Sequence, residues 1–323
     1  MNRPTSPVSR RGFAAVVVSA AASTSCRKDQ KRIIGVVPKG RTHLFWQSVH
    51  AGAVAAAREE HVEVSWNGPA TETDYNGQLQ ILDAMINRKV DAIALAPIDK
   101  KAMVSAVERA ARQNIPVIIF DSAIDTENFV SQVATDNYAA GQLAADRMSE
   151  IIGGKGTVVI VAVQPGSAST MAREAGFEER VKEKFPAIRI ADKRFGMSDV
   201  AKSLAVAENM LTAHPDMVGL FASNESSAVG AAQALKARQS KVRMVGFDWS
   251  PTLLEDLKNG LIDSLVVQHP FKMGYESVKA AVAKLNGKAV QKINNLAPRL
   301  ILKEDLDKPD VKEQLNPDLK KYL

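Results

Sequence analysis

The chain has 323 residues, enough for two domains of ordinary size, and its 46% hydrophobic and 24% charged residues exclude a largely disordered polymer. Its net charge of +6 leans on Arg3, Arg10 and Arg11, which stand in a 26-residue stretch without an acid. Beyond that stretch basic and acidic residues are interspersed, so the clustered Lys/Arg face of a nucleic-acid binder is not expected.

Residues 1–26 read as an export signal. SPVSRRGFAAVVVSAAASTSC has a basic start, an apolar run from Phe13 to Ala22 and then small residues. That run is shorter than the roughly 20 residues a membrane-spanning helix needs. Ser9-Arg10-Arg11-Gly12-Phe13 is similar to a twin-arginine signal, an address read by a receptor. Cys26, the only cysteine, follows in a segment that resembles a lipobox, with Ser23 where leucine is usual. This predicts a lipid-bearing thiol at Cys26. The competing reading is cleavage after Ala20-Ala21-Ala22, which leaves an incidental thiol. One cysteine allows no internal disulfide, so packing alone must hold the fold.

From Lys31 onward short apolar runs alternate with helical patterns. RIIGVV, VEVSW, DAIALA and PVIIF read as strands, and their continuous apolar character suits a parallel sheet covered on both faces. Leu79, Leu82 and Ile86 share one face of an intervening helix, and Val104, Val107 and Ala111 share one face of the next. In ATDNYAAG, Asp136 or Asn137 can cap the helix that follows. The pattern then restarts with TVVIVAV, VGLFAS and RMVGF as strands, separated by helices such as that carrying Val200, Leu204, Ala207 and Leu211. LIDSLVVQHP reads as a strand entering a helix near Pro270, RLILKEDL as a last strand, and the charged tail from Lys303 to Leu323 as a surface wrap. The expected class is α/β, with two doubly wound parallel sheets.

Enzyme signatures are missing: there is no HExxH, CxxC, GxSxG or P-loop. Gly153 to Gly156 precede a strand instead of following one, so they read as a turn. His43, His50, His61, His214 and His269 lack metal-ligand spacing, and His214 suits a helix end. No catalytic residue, metal or cofactor is expected. In open α/β sheets, ligands bind outside the carboxyl ends of the strands. Those ends carry His43, Phe45 and Trp46, then Asp121, Asn224, Asp248 with Trp249, and Gln268. Aromatic faces beside carboxylates and amides match a hydroxyl-rich ring with C–H bonds on its faces. Blander readings compete: Asp121 or Asp248 as a helix cap, Phe45 and Trp46 as core, Trp66 as packing, Arg173 as a solvated charge.

PVIIFDS, ATDNYAAG, AREAGF, NMLTAHPD, LFASNE, VGFD and VVQHP, in that order, are similar to the motifs of bacterial periplasmic sugar-binding proteins of the ribose-binding class, which serve ABC transporters and share a fold with lactose-repressor-type effector domains. The resemblance runs from about residue 33 to residue 302. It implies two lobes, residues 31–135 with 269–297 and residues 136–268 with 298–323, joined by a three-crossover hinge. A sugar or polyol would be enclosed between them and passed to a membrane permease with a cytoplasmic ATPase. His43, Phe45, Trp46 and Asp121 would line the first lobe's side, Arg173, Asn224 and Asp248 the second's, with Gln268 at a hinge crossing. The resemblance also implies a periplasmic monomer, touching the membrane only through a lipid on Cys26. An exported receptor for a sensor kinase or chemotaxis system shares these features. A regulator of the same fold would begin with a helix-turn-helix domain instead.

Two departures stand out. His43 replaces an asparagine of the ribose pattern, and Ser122 replaces the arginine that follows its aspartate. Loss of that cation is expected to leave Asp121 poorly paired, so ribose should bind at least about tenfold more weakly than the best ligand.

Overall fold

The computed structural model describes Met1 and residues 31–323; the export signal, the Arg10-Arg11 pair and Cys26 lie outside the described residues. The first part runs β1 (Ile33–Val37), α1 (Leu44–Glu59), β2 (Glu63–Trp66), α2 (Tyr75–Asn87), β3 (Ala92–Leu95), α3 (Val104–Arg112), β4 (Val117–Phe120) and β5 (Ser131–Thr135). Next come α4 (Asn137–Ile151), β6 (Gly156–Ala162), α5 (Ala168–Lys184), β7 (Ile188–Phe195), α6 (Val200–Ala213), β8 (Met217–Ala222), α7 (Glu225–Ala237), β9 (Arg243–Phe247), α8 (Pro251–Lys258) and β10 (Ser264–Val267). The chain closes with α9 (Pro270–Leu285), β11 (Ile293–Leu296), β12 (Arg299–Leu302) and α10 (Pro309–Leu315).

Among the described residues, twelve strands form two six-stranded sheets of matching strand order, β11-β5-β4-β3-β1-β2 and β12-β10-β9-β8-β6-β7. All pairings are parallel except β10 with β12. The chain passes between the sheets three times: from β5 to α4, from β10 to α9, and from β11 to β12. The strands β3, β4 and β10 are buried at every position; AIAL and VIIF are unbroken apolar runs and SLVV is apolar after Ser264, as helices covering both faces require. Among the described residues, no helix is long and apolar enough to cross a membrane.

Three strands escape the apolar pattern. β5 (SQVAT) begins on polar residues, β7 carries Arg189, Asp192, Lys193 and Arg194, and β11 carries Asn294 and Asn295. β7 and β11 are sheet edges, where charged and polar side chains are tolerated and block pairing with other chains. The buried face of α3 is Ala106, Val107 and Ala110, while Ala111 points to solvent. On α6 the deepest line is Ser203, Ala207 and Met210, with Leu204 and Leu211 only partly buried. Asp136, not Asn137, caps α4, accepting from Ala139 N–H at 3.0 Å.

Two helix pairs pack at backbone contact. A Cβ on Gly52 of α1 would stand 1.9 Å from the Phe271 carbonyl oxygen, and one on Gly274 of α9 2.0 Å from that of Val49. In the second half, Gly141 of α4 meets the Arg173 carbonyl at 1.9 Å and Gly176 of α5 meets that of Tyr138 at 2.2 Å. Only glycine permits such an approach. The α4/α5 contact fixes the height of Arg173 above its sheet.

The tail does more than wrap the surface. Val311 and Leu315 of α10 enter the core of the second sheet, and Gln314 donates to the Gln268 carbonyl at 2.9 Å. Farther on, Arg58 of α1 donates to the carbonyls of Lys321 at 2.8 Å and Tyr322 at 3.2 Å.

Candidate functional site

Corresponding corners of the two sheets present the first pair of groups. Asp121 follows β4 and donates its N–H to Val133 of β5 at 3.0 Å; Asp248 follows β9 and donates to Val266 of β10 at 2.9 Å. Each ladder thus runs one residue past its strand. The backbone then turns left-handed, with φ of 60° at Asp121 and 64° at Asp248, a region that Asp tolerates better than most residues. Neither caps its following helix: Ser250 caps α8, and the Asp248 carboxylate accepts instead from Gln268 Nε2 at 2.7 Å and from Glu225 N–H at 3.3 Å.

Between the sheets lies a cavity of about 30 Å³, lined by Lys39, His43, Phe45, Trp46, Glu72, Asp121, Ser169, Thr170, Arg173, Asn224, Glu225, Asp248 and Gln268. Its lining side chains come from both halves. Eight of the nine residues expected from sequence line it. Ser122 stands one step back, its hydroxyl accepting from Ser169 N–H at 2.9 Å.

Arg173 is 2% exposed, which rules out a solvated charge. Its Nε donates to Asn137 Oδ1 at 2.8 Å and its Nη1 to the Ser223 carbonyl at 2.9 Å, 3.9 Å from Asp248 Oδ2. The guanidinium lies 3.8 Å from the centre of the Phe247 ring, a cation–π contact that replaces lost hydration. Asn224 caps α7 through its carbonyl oxygen, accepting from Ser227 N–H at 2.9 Å, and donates to Ser198 at 3.0 Å. One amide N–H remains for the cavity. Gln268, at the second chain crossing, accepts from the Thr135 hydroxyl at the first crossing at 2.7 Å.

Trp46 belongs to both core and cavity: it packs in the first sheet's core while its indole donates to Glu72 at 2.8 Å. Phe45 meets it edge-on at 4.8 Å. Trp66 stacks on His50 at 4.4 Å, and Trp249 packs on the second sheet's core, away from the cavity lining.

Sequence reasoning missed Lys39, Glu72, Ser169, Thr170 and Glu225. Lys39 corrects the expectation for Asp121. Its Nζ lies 2.6 Å from Asp121 Oδ2, so the carboxylate is paired despite Ser122, and the argument for weak ribose binding lapses. The cation arrives from the end of β1 instead of from the residue after the aspartate. Ser169 and Thr170 sit one helical turn before Arg173, and Glu225 directly follows Asn224; both were legible as neighbours of expected residues. Glu72 lies in the loop after β2, a strand end with no apolar signal to mark it.

Three cations each face a carboxylate: Lys39 with Asp121, Arg173 with Asp248, and His43 Nδ1 with Glu72 at 2.9 Å. Burial opposes charge on His43, but the hydrogen bond and field of Glu72, helped by Glu225 and Asp248, raise its pKa to about 9. Burial likewise opposes the Glu72 charge, and His43, Lys39 and Trp46 overcome it, bringing that pKa down to about 2. Glu225 forms no ion pair among the described residues; burial, with Asp248 and Glu72, outweighs the pull of His43 and the Phe45 N–H and lifts it to about 7. Burial also raises Asp248, against Arg173 and Gln268. These groups form a dense array of hydrogen-bond donors and acceptors bordered by two aromatic rings.

Two mostly parallel sheets of the same strand order, three chain crossings and a polar cavity at the strand ends define a two-lobed binding protein of the periplasmic type. Residues 34–289 match the periplasmic binding protein domain, and the chain belongs to that family. The ribose import binding protein RbsB of Bacillus subtilis is 30% identical over 259 residues, covering 80% of this chain and 83% of its own. A carbohydrate transporter solute binding protein from Agrobacterium radiobacter, solved in complex with D-arabinose, is 34% identical with a TM-score of 0.86, covering 88% of this chain and 99% of its own. An ABC transporter solute binding protein from Agrobacterium vitis with bound D-fucose is 33% identical with a TM-score of 0.85 and the same two coverages.

Proposed function

We propose that this protein captures a sugar or related polyol between its two lobes and delivers it to an ABC-type permease with a cytoplasmic ATPase, acting as a binding protein and not as an enzyme. The observation that carries this reading is the meeting of Asp121, Trp46 and His43 from one sheet with Arg173, Asn224 and Asp248 from the other in a single cavity. Carboxyl groups, a guanidinium and amides bond hydroxyls on a ring's edge, and Phe45 and Trp46 offer apolar surface to its C–H faces. The lobes are residues 31–135 with 269–297 and residues 136–268 with 298–323. Trp46, Asp121, Arg173 and Asp248 are all buried, so a sugar reaches them by opening at the three crossings, and its contacts to both lobes favour closure.

In this reading the protein is an exported monomer, held at the membrane by lipid on Cys26 after passage by the twin-arginine route. Serine at position 26 should release it into the soluble fraction. The central test is a thermal-shift screen of pentoses, hexoses, alditols and inositols, followed by calorimetry and small-angle scattering. A bound neutral polyol should lower the radius of gyration. Failure of every such compound to bind would refute the function.

A further inference from the structure

Lys39 is 2% exposed, and its ammonium group has three partners. Asp121 Oδ2 lies at 2.6 Å on its own lobe, while Ser169 Oγ at 2.9 Å and Ser167 Oγ at 3.3 Å come from the start of α5 on the other. An ammonium has three N–H donors, and all three are engaged. Ser122 adds to the same junction by accepting from Ser169 N–H at 2.9 Å. Two further bonds seat the loop before α5 on the first lobe: Lys100 N–H donates to the Gly166 carbonyl at 3.0 Å, and Gln164 Nε2 donates to the Glu72 carbonyl at 2.8 Å.

From this geometry we infer that Lys39 is the positioning and specificity-determining cation of the cleft. It neutralises Asp121 and ties that carboxylate, only in the closed arrangement, to Ser167 and Ser169. The inference rests on the sugar-binding reading above and adds a residue role to it. An arginine at position 122 would present a wide fork to the ligand. Lys39 instead spends its donors on protein groups, leaving Asp121 Oδ1, which has no protein hydrogen bond among the described residues, to take a ligand hydroxyl. The ligand therefore meets a bare acceptor at this corner where an arginine-bearing site offers acceptor and donors together. Closure and recognition are coupled, because the serines reach Lys39 only when the lobes meet.

The experiment is calorimetry and scattering with D-ribose, D-arabinose and D-fucose as probes, on wild type, Lys39→Met, Ser169→Ala and the double variant Lys39→Met/Ser122→Arg. Lys39→Met should weaken the tightest probe at least tenfold. Ser169→Ala leaves the buried ion pair intact, so it tests the tie even where Lys39→Met fails to fold; it should weaken binding severalfold and reduce the ligand-dependent fall in radius of gyration, with a smaller loss of melting temperature than Lys39→Met. The double variant should recover affinity for at least one probe but with a different order among the three, a change that a purely structural lysine would not produce. If Lys39→Met and Ser169→Ala both bind all probes within twofold of wild type and in the same order, the Lys39 assignment is wrong while the sugar-binding reading stands. Wild type that binds none of the three removes the selectivity assigned to Lys39, and silence across the wider polyol screen removes the sugar-binding reading too.

Discussion

Asp121 and Asp248 occupy the same corner of two matching sheets, each one residue past its strand, with φ values of 60° and 64°. This equivalence governs the choice of mutation. Alanine at either site adds backbone strain of roughly 1–2 kcal/mol to the loss of the carboxylate, whereas asparagine accepts the left-handed turn. Asp248→Asn should therefore retain the fold and weaken ligand binding by about 1.5–3 kcal/mol, the usual worth of a hydrogen bond to a charged group. Calorimetry on the folded variant checks it, and unchanged affinity would exclude Asp248 from ligand contact.

Arg173→Met should behave differently, because it harms the protein as well as the site. It leaves Asp248 without its cation and strips Asn137 and the Ser223 carbonyl of their donor. Breaking a buried pair from one side costs about 3–5 kcal/mol. Chemical denaturation should find a loss of that size; one below about 1 kcal/mol would mean that Asp248 finds another partner.

The cavity carboxyls and His43 predict a pH profile. The raised pKa of His43 contributes stability that is complete below its ordinary value of 6.5 and is lost as pH rises through about 9. Glu225 acts in the same sense, from 4.5 through about 7, and so does Asp248. Glu72 acts oppositely: its contribution is complete above 4.5 and is lost as pH falls through about 2. The melting temperature should therefore peak near pH 5 and fall toward pH 9. Glu225→Gln should flatten the fall between pH 5 and 7 and leave the later fall, due to His43, in place. An identical profile in that variant would remove Glu225 from the account.

At the α4/α5 contact, Gly141→Ala puts a methyl group where the Arg173 carbonyl oxygen stands, 1.9 Å from the new Cβ. Overpacking of this kind typically costs about 1–3 kcal/mol. Since the helices must part, Arg173 should also withdraw from Asn137, and affinity should fall with stability. Calorimetric affinity equal to wild type in the destabilised variant would show that the guanidinium keeps its place.

The sheets were legible because buried parallel strands such as IIGVV and VIIF are apolar without interruption, and the cavity residues because they follow such strands directly. β7 and β11 were not, since an edge strand may carry Arg189 or Asn294 without cost and so loses its signature. Lys39 and Glu72 were hidden for a different reason. Their roles come from ion pairs with Asp121 and His43, and the Lys39 pair spans residues far apart in the chain; no local pattern encodes that pairing. The replacement of an arginine by Ser122 was visible, but not that a positive charge stands instead in the loop after β1.

The last residues are moored on both sides of the joint: Val311 and Leu315 are sunk in one half, and the carbonyls of Lys321 and Tyr322 are held by Arg58 of the other. Turning one half against the other must therefore stretch or unclip the short segment between Leu315 and Lys321. A fluorophore at Leu323 would sit just past that tether, away from the cavity lining, and its signal would gauge the angle of the joint without obstructing what passes through the mouth.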